Sequence, residues 1–401
     1  MKDFYKPGKT DSILWLCFTL WLIIDTITGY FLNSGISFPL SQGFKILILL
    51  LLIIRIIKKG IYLKLTVFLL LYISIFIVVL SLHERAILPT FSHLTKLIST
   101  LYLYIYFCIG IDIWHSGYIY KSYKILKIAF IIVGLNIALG IFGIGFHTYP
   151  DEQVGYKGFF FAGNELGGVI VAVLPFMQYV IFKNASLKHY IIISSIILFL
   201  SVILGTKSVL IICFLTSFIV PWLLGNKKMK RRILLFAVII GTPVLSYLIL
   251  KMIQSESELF LKLAYSYNTN GILGLIFSGR DEFLLTRGSD YYNGDLFTLL
   301  FGLGENITVE MDPFDSLLNY GIIGFFTNIF IFLFLLKRAY KCKYNNTFVR
   351  ILIFQNWLTL FMAIIAGHIL YSSMAGLYIA LTNSFALIKS KSPCLINLRK
   401  Y

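Results

Sequence analysis

The stretch from residue 278 to residue 315, SGRDEFLLTRGSDYYNGDLFTLLFGLGENITVEMDPFD, is the core of a polar segment that covers residues 251–314 of an otherwise apolar chain. Binding and catalytic residues are often found on loops that a rigid scaffold holds in place. We therefore expect the function to reside in this segment, with the apolar remainder as its scaffold. The segment and its border hold ten of the chain's 18 acidic residues: Glu256, Glu258, Asp281, Glu282, Asp290, Asp295, Glu305, Glu310, Asp312 and Asp315.

The composition of the chain indicates an integral membrane protein. Of its 401 residues, 58% are hydrophobic and 13% are charged, whereas soluble domains contain about 25% charged residues. The hydrophobic runs predict an all-α, polytopic membrane protein with about twelve transmembrane helices, each near the ~20 residues needed to cross a bilayer. The predicted spans are 13–32, 36–57, 65–82, 97–114, 125–146, 163–182, 188–204, 208–224, 233–252, 314–336, 351–367 and 371–388.

The basic residues predict how these spans are oriented. The net charge of +17 comes from clusters of lysine and arginine in alternate connections, such as residues 227–232 and 337–343. Cytoplasmic loops carry such an excess of positive charge, so both termini are predicted to be cytoplasmic. The large loop between spans nine and ten, residues 253–313, is then extracytoplasmic, within a single membrane domain 1–401. Because the clusters lie between spans, they do not indicate a nucleic-acid partner.

Asp25 and Lys45 are charges within the first two spans, each about ten residues from the predicted outer turn at 33–35. An unpaired charge in the hydrocarbon core is costly. We expect the two side chains to form a buried ion pair. The pair could serve helix packing or contact a substrate, and the packing role is the simpler interpretation.

Three polar residues follow in predicted outer turns. Lys157 precedes span six, and Lys207 lies in the short turn before span eight. Either lysine could hold a phosphate as a point charge, or could be an interfacial lysine whose charged end reaches water. Asn164 begins span six, where helix capping is the ordinary interpretation.

The polar segment itself contributes four candidates. Arg280 follows Gly279, and its planar fork suits bidentate phosphate binding, although a salt bridge to the neighbouring acids would also explain it. Asp312 precedes a proline as helix N-caps do, and Asp315 would favour the helix dipole near the third helical position. Capping does not account for Glu310, which could act as a general base.

His368 lies in the last predicted outer turn, opposite the large loop. A histidine there is a candidate acid or base, although a structural role is the commoner one. No spacing of cysteine and histidine resembles a metal site. We therefore expect neither a metal nor a cofactor.

Several of these segments together resemble the O-antigen polymerase and ligase superfamily, the Wzy-like membrane glycosyltransferases. The order of the similar pieces, the long late loop and the number of spans carry the resemblance along nearly the whole chain. Lys157 and Lys207 stand where many relatives have arginine, so the bidentate fork is lost there. The similar pieces are GYKGFFFAGNELG at 155–167, LGTKS at 204–208, SGR at 278–280, FGLG at 301–304, EMDPFDSLLNYGIIG at 310–324 and GHILYS at 367–372.

The resemblance implies a polymerase of capsular, exopolysaccharide or O-antigen repeat units in the bacterial cell membrane. Its substrates would be oligosaccharides linked to polyprenyl diphosphate, possible partners would be other polysaccharide-assembly proteins, and transfer would be metal-independent. An acceptor hydroxyl would attack the anomeric carbon while polyprenyl diphosphate leaves. The implied catalytic residues are Arg280, His368, Glu310 and Asp315, and the implied substrate-binding residues are Lys157, Lys207, Asn164 and Asp312.

Three alternatives stay open. A ligase of the same superfamily would move finished glycan to another acceptor. A flippase or transporter of lipid-linked sugars would also suit twelve spans, although the sequence contains no convincing pair of broken helices of the transporter kind. A non-catalytic partner in polysaccharide assembly would tolerate single changes at Arg280 or His368.

Overall fold

The computed structural model describes residues 9–60, 63–84, 94, 96–99, 102–105, 119–150, 153–225, 228–232, 235, 239, 258–304, 307–340 and 347–389. These residues are mostly helical. In chain order they form α1 (Lys9–Asn33), α2 (Leu40–Lys59), α3 (Leu63–Glu84), α4 (Ile119–Leu139), β1 (Phe146–Tyr149), β2 (Val154–Gly158), α5 (Gly163–Asn184), α6 (Leu187–Leu204), α7 (Lys207–Leu224), α8 (Glu258–Phe277), α9 (Arg280–Tyr292), α10 (Leu296–Phe301), α11 (Asp312–Tyr340), α12 (Thr347–Ile365) and α13 (Ser373–Lys389).

The helices confirm a polytopic, α-helical membrane protein. Among the described residues, nine helices are long and apolar enough to cross a membrane, as expected where lipid cannot satisfy backbone groups. They correspond to nine of the twelve expected spans. Spans 97–114 and 233–252 fall largely outside the described residues. The span expected at 371–388 corresponds to α13, which has 17 residues, so the total of twelve stays a prediction.

Helix α5 is the central helix of the bundle. In the most apolar 18-residue stretch of α5, 83% of the residues are buried, against 28–56% in the corresponding stretches of the other candidate spans. Helix α5 packs on α4, α7, α12 and α13. A Cβ atom added to Gly168 would lie 2.8 Å from the Cβ of Ala375 on α13. Small residues let membrane helices approach closely. The polar start of α5, which is half-buried, is therefore the end of the most enclosed helix.

A β-hairpin between α4 and α5 was not expected for an all-α chain. Strands β1 and β2 pair antiparallel, with His147 opposite Tyr156, and α4 ends at Leu139 rather than near residue 146. The Thr148 hydroxyl donates to the Leu204 carbonyl at 2.7 Å, which fixes the hairpin against the end of α6. Strands of four and five residues are too short to show a clear alternation beside a transmembrane span.

The described part of the polar segment is a folded helical unit. Asp295 begins α10 by accepting a hydrogen bond from the Thr298 backbone N–H at 2.8 Å, as an N-cap residue does. The Tyr291 hydroxyl donates to the Leu299 carbonyl at 2.8 Å. This unit has its own small core, to which α11 contributes Leu318. The buried residues of this core are Tyr291, Ile307, Val309, Met311 and Leu318.

Helix α11 is broken at Gly321, where a continuous span 314–336 was expected. Gly321 has φ 62° and ψ −166°. A Cβ atom at this position would collide with the backbone of Leu300 and Phe301 at the end of α10. Glycine adopts positive φ at little steric cost, so it permits this close contact. The first part of α11, which carries Asp312 and Asp315, is a separate short helix.

Candidate functional site

Arg280 and Glu310 form the ion pair at the centre of the candidate site. The Arg280 Nη2 and Nε atoms donate to Oε2 of Glu310 at 2.5 and 3.2 Å, and Nη1 donates to the Ile365 carbonyl at 2.6 Å. Asn164 Nδ2 lies 3.5 Å from the same carboxylate oxygen. The side chain of Arg280 is 21% exposed and that of Glu310 is 45% exposed. Three predicted site residues thus meet at one accessible carboxylate.

The backbone around this ion pair is strained. Glu310 and His368 have φ values of 60° and 55°, which are uncommon for residues with a Cβ atom. Gly367, with φ 62°, packs directly on the Glu310 backbone, and a Cβ atom at Gly367 would collide with it. Strained residues cluster at functional sites, where the surrounding structure holds them in place. Both residues are candidates chosen from the sequence, and Ser278, two residues before Arg280, also has a positive φ of 59°.

Asp312 fixes the turn that carries His368. Its carboxylate accepts hydrogen bonds from three consecutive backbone N–H groups, those of His368, Ile369 and Leu370. The distances to Ile369 and Leu370 are 2.8 and 2.7 Å. The interpretation of Asp312 as a cap of its own helix is therefore wrong. Its partners lie 56 to 58 residues further along the chain, and a local capping rule cannot anticipate them.

Asp315 also holds a loop rather than merely favouring the helix dipole. Its Oδ1 atom accepts from the Val309 N–H at 2.5 Å. Nearby, the Asn319 side chain both accepts from and donates to the Ile307 backbone, at 2.9 and 2.6 Å. These contacts fix the segment that leads to Glu310 against the start of α11.

His368 and both aspartates line a small polar cavity of about 160 Å³. Glu165 at the start of α5 and Lys96 also contribute, together with Tyr371. We call this space the inner chamber. It places an imidazole, three carboxyl groups and an ammonium around a volume that can hold a few polar groups.

A larger cavity of about 680 Å³, the outer chamber, lies between α1, α2 and α5. The predicted ion pair is confirmed in its wall, because Lys45 Nζ lies 2.6 Å from Asp25 Oδ1 and both side chains are 8% exposed. The Ser41 hydroxyl donates to the same oxygen of Asp25. Four residues line both chambers and make them neighbours: Lys96, Ser99, Glu165 and Tyr371.

Lys207 lies beside the Arg280 ion pair. Its ammonium donates to the hydroxyl of Ser278, two residues before Arg280, and the two positive charges interact. Lys207 is exposed. An anion that reached Arg280 would therefore also meet a second positive charge.

Lys157 takes a more structural position. Its Nζ atom donates to the Phe161 carbonyl at 2.7 Å and lies 5.7 Å from the centre of the Phe161 ring. The side chain is buried, and this burial lowers the pKa of the ammonium. The contacts bend the chain between β2 and α5, and Phe161 in turn lines the outer chamber. A phosphate contact by Lys157 stays a prediction.

Glu165, Lys96 and Tyr371 are site residues that the sequence analysis did not select. Glu165 looks like an ordinary first-turn acid, yet it lines both chambers. Lys96 donates to the Ile307 carbonyl at 2.9 Å from 211 residues away. In the sequence, Glu165 and Lys96 are each a single charge beside a predicted span. Such a position does not indicate where the folded bundle places the charge.

Within the part of the chain that the structure describes, no group of three or more His, Cys, Asp or Glu side chains is arranged to hold a metal ion. The fold and the site define a polytopic helical membrane protein with two adjoining chambers, lined in part by charged side chains, beside an arginine–glutamate pair. No family model, curated protein or solved structure matches this chain. The family resemblance of its motifs and the activity that the resemblance implies are thus proposals.

Proposed function

We propose that this protein polymerises oligosaccharide repeat units linked to polyprenyl diphosphate, on the outer face of a bacterial cell membrane. The observation that carries the proposal is the position of the Arg280 fork. It lies beside Lys207 and next to chambers that contain carboxyl groups and an imidazole. Preorganised positive charge where a diphosphate leaves, with a base nearby, is what glycosyl transfer from such a donor requires.

Arg280 would stabilise the leaving group. Glu310 and the Ile365 carbonyl hold its guanidinium in a fixed orientation, so little reorganisation is needed when a diphosphate arrives. The oxygens of the diphosphate would compete with Glu310 for the fork, and Lys207 would add a second positive charge. The bond between the anomeric carbon and the diphosphate oxygen breaks, and its electron pair leaves with polyprenyl diphosphate.

His368 is the best candidate for the base. Glu310 is engaged by Arg280, and the carboxylates of Asp312 and Asp315 accept backbone hydrogen bonds. These bonds occupy both carboxylate oxygens of Asp312 and one oxygen of Asp315, so both side chains serve to position the backbone. The His368 imidazole lines the inner chamber. It would take the proton from the acceptor hydroxyl as the oxygen of that hydroxyl bonds to the anomeric carbon.

The test is to separate the lipid-linked glycans of cells lacking this protein by size and by membrane face. Single repeat units that accumulate on the outer face would support polymerisation. Full-length polymer that remains on its lipid would instead indicate a ligase, and repeat units trapped on the inner face would indicate a flippase. An unchanged glycan profile would contradict all three activities.

One observation favours a transporter as a second candidate. Helix α11 is broken at Gly321 within a candidate span, and broken spans bind substrate in many transporters. Those transporters use paired broken helices in corresponding halves. The other break among the described helices, at Gly271 in α8, lies in the polar segment rather than in a candidate span. We therefore rank transport below polymerisation.

A further inference from the structure

The outer chamber is large and has a mixed polar and apolar lining, and the chemistry proposed for Arg280 and His368 does not use it. Its volume of about 680 Å³ falls within the roughly 300–1,000 Å³ range of small-molecule pockets. It opens beside the α1–α2 connection, where Ser37 is exposed, and beside the first turn of α2, where Gln42 is exposed. Charged and polar side chains line it together with a larger accessible apolar area.

Asp25 gives the chamber an unmet hydrogen-bonding group. Lys45 and Ser41 both bind its Oδ1 atom. The Oδ2 atom is buried and has no hydrogen-bond partner among the residues that the structure describes. The whole residue is only 8% exposed. A buried carboxylate oxygen without a donor is destabilising, so a small rotation of this carboxylate toward the chamber, where a ligand hydroxyl can donate to it, would be favourable.

The charges of the chamber favour a neutral ligand. Lys45 and Lys96 are balanced by Asp25 and Glu165. An anion would meet two acids, and a cation would meet two lysines. A polyhydroxyl ligand can donate to a carboxylate and accept from an ammonium without adding net charge.

Aromatic rings complete the lining. Phe160, Phe161 and Tyr102 border the chamber together with the amide of Gln42. Pockets that combine aromatic faces with a few placed polar groups orient ligands with both apolar and polar surfaces. Sugar rings have this character, because their C–H faces are apolar and their edges carry hydroxyl groups.

We propose that the outer chamber binds neutral sugar residues and is the acceptor subsite of the transfer proposed above. The sugar-binding part stands on the chamber alone, whereas the acceptor role rests on the proposed function. Because Glu165 and Tyr371 line both chambers, a glycan in the outer chamber can extend its terminal hydroxyl toward His368. The Asp25 carboxylate accepts a hydrogen bond from a sugar hydroxyl.

Saturation-transfer NMR with methyl glycosides tests sugar binding directly. The full chain would be purified into lipid nanodiscs, free of sugar-based detergents, and mixed with millimolar methyl glucoside, galactoside, N-acetylglucosaminide or rhamnoside. Asp25→Asn and Gln42→Ala should each lower the saturation of the bound glycoside at least fivefold. Thr26→Val is the matched control, since Thr26 lies on α1 next to Asp25 but does not line the chamber.

Two results would overturn the sugar site: no glycoside saturated by the wild-type protein, or equal saturation in wild type and in both chamber variants. Gln42→Ala leaves the ion pair intact, so it remains informative if Asp25→Asn fails to fold.

In cells, Asp25→Asn should abolish polymer and leave single repeat units on the outer face; normal polymer would overturn the acceptor role. Sugar binding without accumulation in cells lacking the protein would retain the site and end the polymerase proposal. Repeat units that accumulate in cells lacking the protein, without sugar binding by the purified protein, would retain the polymerase proposal and end the sugar site.

Discussion

At the scale of single residues, Asp312 shows how one buried carboxylate can hold a site together. Asp312→Ala would remove the acceptor of three backbone N–H groups, and a buried donor left unpaired costs about 1–3 kcal/mol. We expect a clearly lower melting temperature in detergent. Asp312→Asn should lower it less, because the amide oxygen still accepts. Asp290→Ala, on the exposed side of α9, is the control, and an unchanged melting temperature for Asp312→Ala would contradict this role.

Arg280 is the residue whose loss should affect transfer most. Arg280→Ala removes the fork that would bind the leaving diphosphate, and loss of one such electrostatic group costs about 10²–10³-fold in rate. We expect no detectable polymer in cells at a normal protein level. Arg280→Lys should restore only a small part of the polymer, since the lysine ammonium lacks the planar fork of arginine.

Arg287→Ala provides a matched control for Arg280 on the same helix. Arg287 is exposed, and its guanidinium lies over the Phe283 ring, 5.3 Å from the ring centre. Polymer formation should therefore be normal in this variant. Full polymer in Arg280→Ala would remove Arg280 from the mechanism.

His368 can be tested without disturbing its turn. Because His368 has φ 55° and glycine tolerates positive φ, His368→Gly should keep or raise the melting temperature. The same variant should lose about 10²–10⁴-fold in transfer rate if the imidazole is the base. Added imidazole should restore part of the activity of purified protein. Wild-type activity in His368→Gly would show that another group takes the proton.

At the scale of elements, the break in α11 determines where Asp312 and Asp315 lie. Gly321→Ala would force a residue with a Cβ atom into a backbone region, φ 62° and ψ −166°, that is essentially confined to glycine and costs about 1–3 kcal/mol, and the Cβ atom would push against the Leu300 backbone. We expect a lower melting temperature together with reduced polymer. Gly134→Ala in α4 is the control, because its added Cβ meets no atom within 4 Å and alanine favours helix.

Elements were predictable from the sequence to the extent that one local property determines them. Nine spans follow from apolar length alone. The break at Gly321 and the β-hairpin do not, because each depends on contact with another element: α10 in one case, and the end of α6 in the other. Glycine in an apolar run is also common where it merely allows close packing.

At the scale of the whole molecule, the sequence identified the residues of the site better than their arrangement. Asp25 and Lys45 were correctly paired because equal distances from one turn place two charges at equal depth. Arg280, Glu310 and Asn164 were selected separately, yet they meet at a single carboxylate oxygen. No local pattern singles out Glu165, because an acid in the first turn of a helix is common. Its position between two chambers depends on helices α1, α2, α11 and α13, which no local pattern relates.

The orientation of the whole molecule is the remaining prediction. The chambers and the Arg280 pair lie at the helix ends near residues 33, 163, 207 and 312, all of which the lysine clusters predict to be extracytoplasmic. With the five native cysteines replaced by serine, Asp290→Cys should react with an impermeant maleimide in intact spheroplasts. Lys228→Cys should react only after lysis; both positions are exposed. The opposite pattern would place the site on the cytoplasmic face, where a polymerase of exported repeat units could not reach its substrate.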